Sequence, residues 1–193
     1  MRIPIKFAIA AAGAAALAGC GTTRAPKVAQ ALPPPPPVSN EVPYQWTLGN
    51  APQGHKDMVA EFGKVGLKPG QYFWAASIPA GDTKVIIDRL TQTAYVYRAD
   101  KLVGVASVST AKQGHITPLG EWSILEKRPF YRSKKYDNAP MPWMERIDEY
   151  GIALHGGGTP GYPESHGCIH LPMKFAEKLY GLTKIGTKVI IEG

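Results

Sequence analysis

One glycine-rich segment of the chain holds most of the residues that could do chemistry. Residues 151–172 read GIALHGGGTPGYPESHGCIHLP and carry three histidines and one cysteine. A core strand would not favour this composition, because glycine and proline weaken strand pairing. Glycine also lets a backbone turn freely and approach a ligand closely. The composition therefore predicts a shaped loop that follows a strand ending at His155.

Cys168 is the candidate nucleophile in this loop. A free thiol has a pKa of about 8.5, so it needs a nearby base to become a reactive thiolate. His166 is two residues away, and an extended chain would place both side chains on one face. His155 is farther along the chain, but the loop could fold it back. Spacing alone does not choose between the two histidines.

Gly167 immediately precedes the candidate nucleophile and could help to stabilise a reaction intermediate. Attack on a carbonyl creates an oxyanion, which backbone N–H groups can stabilise. A glycine beside the nucleophile gives those amides room to point at one spot.

Two alternatives stay open at the level of residue types. His166, Cys168 and His170 alternate along the chain and His155 could complete four ligands, a set that suits zinc. Their spacing is not that of a usual zinc finger. A purely structural loop is the second alternative.

Four segments together resemble the YkuD-type L,D-transpeptidase family. Residues 165–169 (SHGCI) match its Ser/Thr-His-Gly-Cys-apolar signature, and residues 153–156 (ALHG) resemble its apolar-His-Gly segment. Residues 117–122 (TPLGEW) resemble its Thr-Pro-x-Gly-x-aromatic motif, after a strand end at residues 107–110 (SVST). The similarity runs from about Thr83 to the C-terminus.

This resemblance implies a mainly β, sandwich-like domain with one or more short helices and the catalytic cysteine in a cleft. Cys168 would be the nucleophile and His155 the general base, its imidazole oriented by the Gly156 carbonyl. The remaining implied roles are an oxyanion hole from the amides around Gly167 and Cys168, and shaping of the site by His166 and Ser165.

The implied substrate is a peptidoglycan tetrapeptide stem. The cysteine would attack the carbonyl of its third residue and expel the terminal D-Ala. An amine from a second stem, or from a lipoprotein, would then resolve the thioester without a metal or organic cofactor. A hydrolase on the same scaffold and a non-catalytic wall-binding or metal-binding lipoprotein are the alternative functions.

Some features of the chain depart from the family pattern or extend it. His170 stands where many relatives have Arg or Asn, and we expect it to hold a substrate carboxylate. The loop between His155 and Ser165 is shorter than in the commonly quoted signature.

The basic stretch 127–135 contains no acid. This stretch is either a solvated loop, which is the preferred interpretation, or a rim whose Arg128 and Arg132 attract carboxylate-bearing stems. Trp143 either packs in the core, which is preferred, or walls the cleft.

The N-terminus predicts export. Residues 1–19 combine a basic start with a short apolar run, which is typical of a signal peptide. Leu17-Ala18-Gly19-Cys20 resembles the lipobox of bacterial lipoproteins, so Cys20 is the expected lipid attachment site. We therefore expect a periplasmic, lipid-anchored protein. Gly21 rather than Asp after the cysteine favours the outer membrane.

The rest of the chain divides into a tether and a domain. Residues 20–43 are rich in proline and predict a stiff spacer. Residues 44–82 predict an irregular segment with a helix near 55–65, and residues 83–193 the catalytic domain. Within it we expect short strands from Thr83 to Val108, a helix over 174–182 and a closing strand over 187–191. Removing Arg2 and Lys6 with the signal lowers the net charge only from +7 to +5. Export directs this basic protein to the membrane and the cell wall, not to nucleic acid.

Overall fold

The computed structural model describes residues 44–193, and this part of the chain folds as ten strands in two sheets with two helices. The predicted mainly β fold with short helices is confirmed. In chain order the elements are α1 (Asn50–Phe62), β1 (Tyr72–Trp74), β2 (Thr83–Asp88), β3 (Thr93–Arg98), β4 (Lys101–Ser107), β5 (Gly120–Ser123), β6 (Glu126–Arg128), β7 (Met144–Arg146), β8 (Ala153–Gly156), β9 (Ile169–Leu171), α2 (Met173–Leu182) and β10 (Lys188–Glu192).

The larger sheet has the strand order β1-β4-β3-β2-β10-β5. Its neighbours are antiparallel except β10 and β2, which run parallel. Both faces of its central strands are covered, so their sequences are apolar almost without alternation. Val85 and Ile87 face one core with Phe175 of α2, whereas Ile86 and Tyr95 face the opposite core beneath α1.

Helix α1 begins and ends earlier than the 55–65 predicted from the sequence. Its N-terminus carries no side-chain cap from its own first residues. The buried Glu192 carboxylate of β10 supplies the acceptor instead, receiving the backbone N–H groups of Asn50 and Ala51 at 3.1 and 2.7 Å. A negative charge at a helix N-terminus is stabilising. A local reading of the sequence misses this start, because the cap comes from the other end of the chain.

The segment predicted to be irregular contains one strand, β1, which pairs antiparallel with β4. It is only three residues long and lies among glycines and prolines, so periodicity gives no signal. The segment also joins the C-terminus, since Trp46 and Gly193 exchange backbone hydrogen bonds at 3.0 and 3.2 Å.

The smaller sheet, with the order β6-β7-β8-β9, carries the chemistry-bearing loop. Strand β8 runs parallel to β9, and β9 follows the loop predicted between His155 and Cys168. A bridge between Ser109 and His170 connects the end of the larger sheet to this one. The strand predicted to end at His155 is β8, which ends one residue later at Gly156.

The predicted signal peptide, lipid attachment site and tether lie outside the described residues. Within residues 44–193, neither helix is long and apolar enough to cross a membrane.

Candidate active site

The parallel pairing of β8 with β9 brings the candidate base and nucleophile together. The register places His155 opposite His170, and Cys168 immediately precedes β9. Register partners on neighbouring strands point to the same face, as do residues two apart on one strand. His155, Cys168 and His170 all line one cavity of about 600 Å³. The glycine-rich loop thus folds the distant histidine back to the cysteine.

His155 is placed and protonated as a general base needs. It is 6% exposed, and its Nδ1 lies 2.9 Å from the Gly156 carbonyl oxygen. Because a carbonyl can only accept, Nδ1 carries the proton of the neutral ring and Nε2 stays free. Burial lowers the pKa of His155 to about 4, partly offset by the Gly156 hydrogen bond and reinforced by His170. The imidazole is therefore neutral at neutral pH.

Cys168 is partly exposed to the cavity, and its thiol donates to the Gly151 carbonyl oxygen at 3.7 Å. Burial raises the pKa of the Cys168 thiol, and the charge of Asp148 adds to this. The Ala153 backbone and the positive charge of Lys135 lower the same pKa. Burial therefore favours the neutral forms of both the thiol and the imidazole, whereas the sequence analysis expected a reactive thiolate.

The turn before the nucleophile is held by its own hydrogen bonds. The buried Ser165 hydroxyl donates to the Cys168 carbonyl at 2.5 Å and accepts the Gly167 N–H at 3.1 Å. Gly167 has φ +134°, and a Cβ there would lie 2.6 Å from Ile152 Cδ1. Glycine is thus required by conformation and by space. The Gly167 N–H, which was expected to bind an oxyanion, donates to Ser165 within the turn. Ser165 thus holds the backbone on both sides of Gly167.

Thr117 is a site residue whose role sequence reasoning missed. It is fully buried, and its hydroxyl donates to the Gly167 carbonyl at 2.7 Å and accepts the Ala111 N–H at 3.0 Å. The side chain therefore ties the nucleophile turn to the strand end at residues 107–110. The Thr-Pro motif was the available signal, but spacing of 50 residues conceals the contact.

His166 lies at the rim and not beside the buried base. Its exposed ring stacks on Tyr136 with centroids 4.7 Å apart, and it meets the His115 ring edge-on at 4.6 Å. His166 lines the same cavity as Cys168. Its exposure suits contact with a bound molecule, in keeping with its expected site-shaping role.

His170 packs against the base. The two imidazole centroids lie 4.8 Å apart, and His170 Nδ1 is 3.9 Å from Glu164 Oε1. A Cβ at Gly157 would approach the His170 ring to 2.9 Å, so glycine permits this packing. Burial lowers the pKa of His170, although Glu164 partly offsets this. His170 lines the cavity, and its contact with a substrate carboxylate stays a prediction.

Unlike His170, the remaining three candidate substrate contacts, Arg128, Arg132 and Trp143, do not line this cavity. Arg128 pairs with Glu126 at 2.9 Å, and Arg132 donates to the Asn138 carbonyl at 3.0 Å. Trp143 packs on the main core and lies 5.5 Å from the Tyr180 ring. Of the basic stretch, Lys134 and Lys135 line the cavity instead. The sequence identifies the basic stretch, but it does not show which of its residues line the cavity.

The zinc alternative has no ligand set in the described part of the chain. Among residues 44–193, no group of three or more His, Cys, Asp or Glu is arranged to hold a metal ion.

Comparison with known proteins defines the family of this fold and site. The sequence profile of the YkuD family, the L,D-transpeptidase catalytic domain, matches residues 82–191. The chain belongs to this family, since the match covers more than half of its 193 residues. It is 30% identical over 126 residues to a Bacillus subtilis (strain 168) protein named "Putative L,D-transpeptidase YqjB", which covers 58% of this chain and 72% of that protein.

Two solved L,D-transpeptidase structures are also similar to this fold. An L,D-transpeptidase (Yku) from Stackebrandtia nassauensis superposes with a TM-score of 0.54 at 27% identity, over 61% of this chain and 58% of that one. L,D-transpeptidase 3 from Mycobacterium tuberculosis, solved with a faropenem-derived adduct, has a TM-score of 0.51 at 21% identity, over 56% and 59% of the two chains. The second likeness concerns the fold alone. The chain spans less than two thirds of either solved chain.

Proposed function

We propose that this protein is a cysteine-dependent L,D-transpeptidase acting on peptidoglycan stem peptides. One observation carries the proposal: the Cys168 thiol and a neutral His155 imidazole with a free Nε2 face one cavity from adjoining parallel strands. Membership of the L,D-transpeptidase family supplies the substrate class.

The first step acylates the enzyme. As Cys168 Sγ attacks the carbonyl carbon of the third stem residue, the thiol proton passes to His155 Nε2. Burial disfavours the charged forms of both groups, and in the proposed step the proton is transferred as the sulfur attacks. The Gly167 N–H is occupied by Ser165, so we assign the oxyanion to the Cys168 N–H. Collapse breaks the bond to the terminal D-Ala, whose nitrogen takes the proton from the imidazolium.

The second step transfers the acyl group. The amine of a second stem attacks the thioester and gives its proton to His155. The carbon–sulfur bond then breaks, and the imidazolium returns the proton to Cys168. A lipoprotein amine would follow the same chemistry. Water in place of the amine would make the protein a hydrolase.

Acylation by a β-lactam tests the nucleophile, because the faropenem-derived adduct of the M. tuberculosis enzyme offers a ready probe. The purified protein should gain the mass of one faropenem-derived acyl group. Cys168→Ala should gain none, whereas Cys20→Ala should react like the unchanged protein. An equal adduct yield on Cys168→Ala would remove Cys168 as the nucleophile.

A second comparison tests the base. His155→Ala should slow acylation by about 100-fold or more, the usual contribution of a general base. His166→Ala should slow it less, since its ring lies at the exposed rim. The reverse order would assign the base to His166.

Product analysis separates transferase from hydrolase. Incubation with a stem tetrapeptide and an amine acceptor should release D-Ala and yield a cross-linked product by mass spectrometry. A tripeptide as the sole product at saturating acceptor would identify a hydrolase.

A further inference from the structure

The charged groups that line the cavity are not balanced. Besides histidines they are Lys134, Lys135, Arg146 and Glu149. Arg146 is committed elsewhere, with Nε 3.0 Å from Glu126 Oε2 and Nη1 donating to the Asp148 carbonyl at 2.6 Å. Within residues 44–193, no ion pair involves either lysine. Two uncommitted ammonium groups therefore face this cavity.

The backbone around Lys135 is held in place. The Ser133 hydroxyl accepts the N–H groups of Lys135 and Tyr136 at 3.2 and 3.0 Å. The next side chain, Tyr136, stacks on His166, two residues before the nucleophile. Lys135 thus belongs to a turn that packs on the nucleophile segment, and its Nζ lies over the Tyr136 ring, 5.9 Å from the centroid.

Lys135 is also the lysine of this pair whose charge acts on the nucleophile. Its positive charge lowers the pKa of the Cys168 thiol. A cation within electrostatic reach of the sulfur is also within reach of groups next to the scissile bond.

Under the proposed function, one anionic group must lie next to that bond. The leaving residue ends in a carboxylate, and its Cα follows that of the acylated residue by about 3.8 Å. The other stem carboxylates are separated from the scissile carbonyl by more bonds. An ammonium group is a compact charge on a flexible stem, which suits a terminal carboxylate.

We propose that Lys135 binds the C-terminal carboxylate of the donor stem peptide, on the residue that departs. This inference rests on the proposed function and makes Lys135 a determinant of donor specificity. The ammonium group would select donors with a free C-terminus.

Two matched donors test the contact: a stem tetrapeptide with a free C-terminal carboxylate, and the same peptide with a C-terminal carboxamide. The measurement is kcat/KM for release of D-Ala or of D-alaninamide. Lys135→Gln should lower kcat/KM for the free acid by roughly tenfold, as expected for loss of one charge-assisted hydrogen bond. The value for the carboxamide should fall less, because that donor offers no charge to Lys135 and loses only the effect of the Lys135 charge on the Cys168 thiol, which both donors share. Taking the ratio of the two effects cancels the difference between the leaving amines.

Two control variants sharpen the result. Lys134→Gln makes the same charge change one residue away in the same cavity, and Lys56→Gln makes it on the distant, exposed face of α1. Both should leave the ratio between donors unchanged. An equal effect of Lys135→Gln on both donors, no effect on either, or a ratio change in Lys134→Gln alone would overturn the assignment. Failure of the unchanged enzyme to release D-Ala from the free-acid donor would instead refute the proposed function.

Discussion

At the scale of single residues, burial determines the chemistry of the catalytic pair. Water stabilises a charged imidazole and a thiolate, and the site removes most of it. Both groups therefore rest in their neutral forms, His155 with a pKa of about 4 and Cys168 with a raised pKa. In the proposed mechanism, the pair becomes charged as the sulfur attacks a bound carbonyl. The same burial makes His155 a determinant of stability toward acid.

The free energy of unfolding should fall as pH drops from about 6.5 to about 4. The unfolded chain binds a proton on His155 near pH 6.5, the folded chain only near pH 4. Between these values the unfolded state binds more protons, so acid favours it. For a shift of this size the loss from His155 is about 3 kcal/mol, complete below pH 4 and absent above pH 6.5. His170, whose pKa burial also lowers, adds a loss of the same sign.

Denaturant unfolding at pH 7, 6, 5 and 4.5 checks this for the unchanged protein and His155→Gln. The variant should have a flatter dependence on pH. His55→Gln, on α1 and away from the cavity, is the control and should keep the original slope. Parallel curves for the unchanged protein and His155→Gln would show that His155 protonates at the same pH in both states.

At the scale of elements, the nucleophile turn depends on Thr117, which lies in the loop between β4 and β5 and precedes Gly167 by 50 residues. Thr117→Val removes a hydroxyl that satisfies the Gly167 carbonyl and the Ala111 N–H. Each orphaned buried group costs about 1–3 kcal/mol, and the turn can regain its bonds only by moving. We expect faropenem acylation to slow by more than about tenfold, since a misplaced nucleophile loses orientation. Thr117→Ser keeps the oxygen and should recover most of the rate.

Thr83→Val separates positioning from general destabilisation. Thr83 Oγ1 donates to the Leu182 carbonyl at 3.1 Å, and Thr83 is also buried, but it does not line the cavity. Its loss should lower the thermal midpoint to a similar degree and leave acylation unchanged in folded protein. Equal slowing in both valine variants would mean that Thr117 serves stability alone.

These elements differ in how well the sequence predicts them. Strands β2 and β3 carry dense apolar runs and lie within the range predicted for short strands, and helix α2 begins one residue before its predicted bounds. Strands β1, β6, β7 and β9 are three residues each, too short for a period to be read. The start of α1 depends on Glu192, which comes from the opposite end of the chain. Local patterns contain no information about such distant partners.

The residues of the site also differ in how well the sequence predicts them. Cys168 and His155 lie in one short segment with a distinctive composition, and the structure brings them to one cavity as predicted. Arg128 and Trp143 were chosen by charge and type, but the direction of a side chain depends on pairing that the sequence does not display. Lys135 lies only three residues past Arg132, and only the folded turn distinguishes them.

At the scale of the whole molecule, the segment 44–82 belongs to the same fold as the strands that follow it. Ala51 and Met58 are buried against Ile86 and Tyr95, and Trp46 and Phe62 pack beside them. Removing this segment would expose one face of the larger sheet. Each fully buried large apolar side chain contributes about 1.5–3 kcal/mol, and a domain has only about 5–15 kcal/mol in all.

A chain of residues 44–193 should therefore unfold cooperatively and react with faropenem. A chain of residues 83–193 should lack a cooperative thermal transition and aggregate, because its exposed apolar face has no cover. Calorimetry and adduct mass on both chains check this. A cooperative, reactive 83–193 chain would show that residues 44–82 are dispensable.

The whole protein also has to reach its substrate, and the N-terminal sequence predicts how. We propose that the chain is exported, cleaved before Cys20 and anchored by a lipid on that thiol, with residues 21–43 as a spacer to the domain. Cys20→Ala should then appear in the soluble periplasmic fraction, because this variant lacks the thiol that would carry the lipid. Its reaction with faropenem in vitro should equal that of the unchanged protein, because the reactive thiol is Cys168.

Cys168→Ala is the matched control: it should stay in the membrane fraction and fail to react. The two cysteine variants should therefore have opposite phenotypes. Cys20→Ala should lose its membrane association and keep its reaction with faropenem, whereas Cys168→Ala should keep the membrane association and lose the reaction. Membrane association of Cys20→Ala would instead mean that another part of the chain holds the protein there.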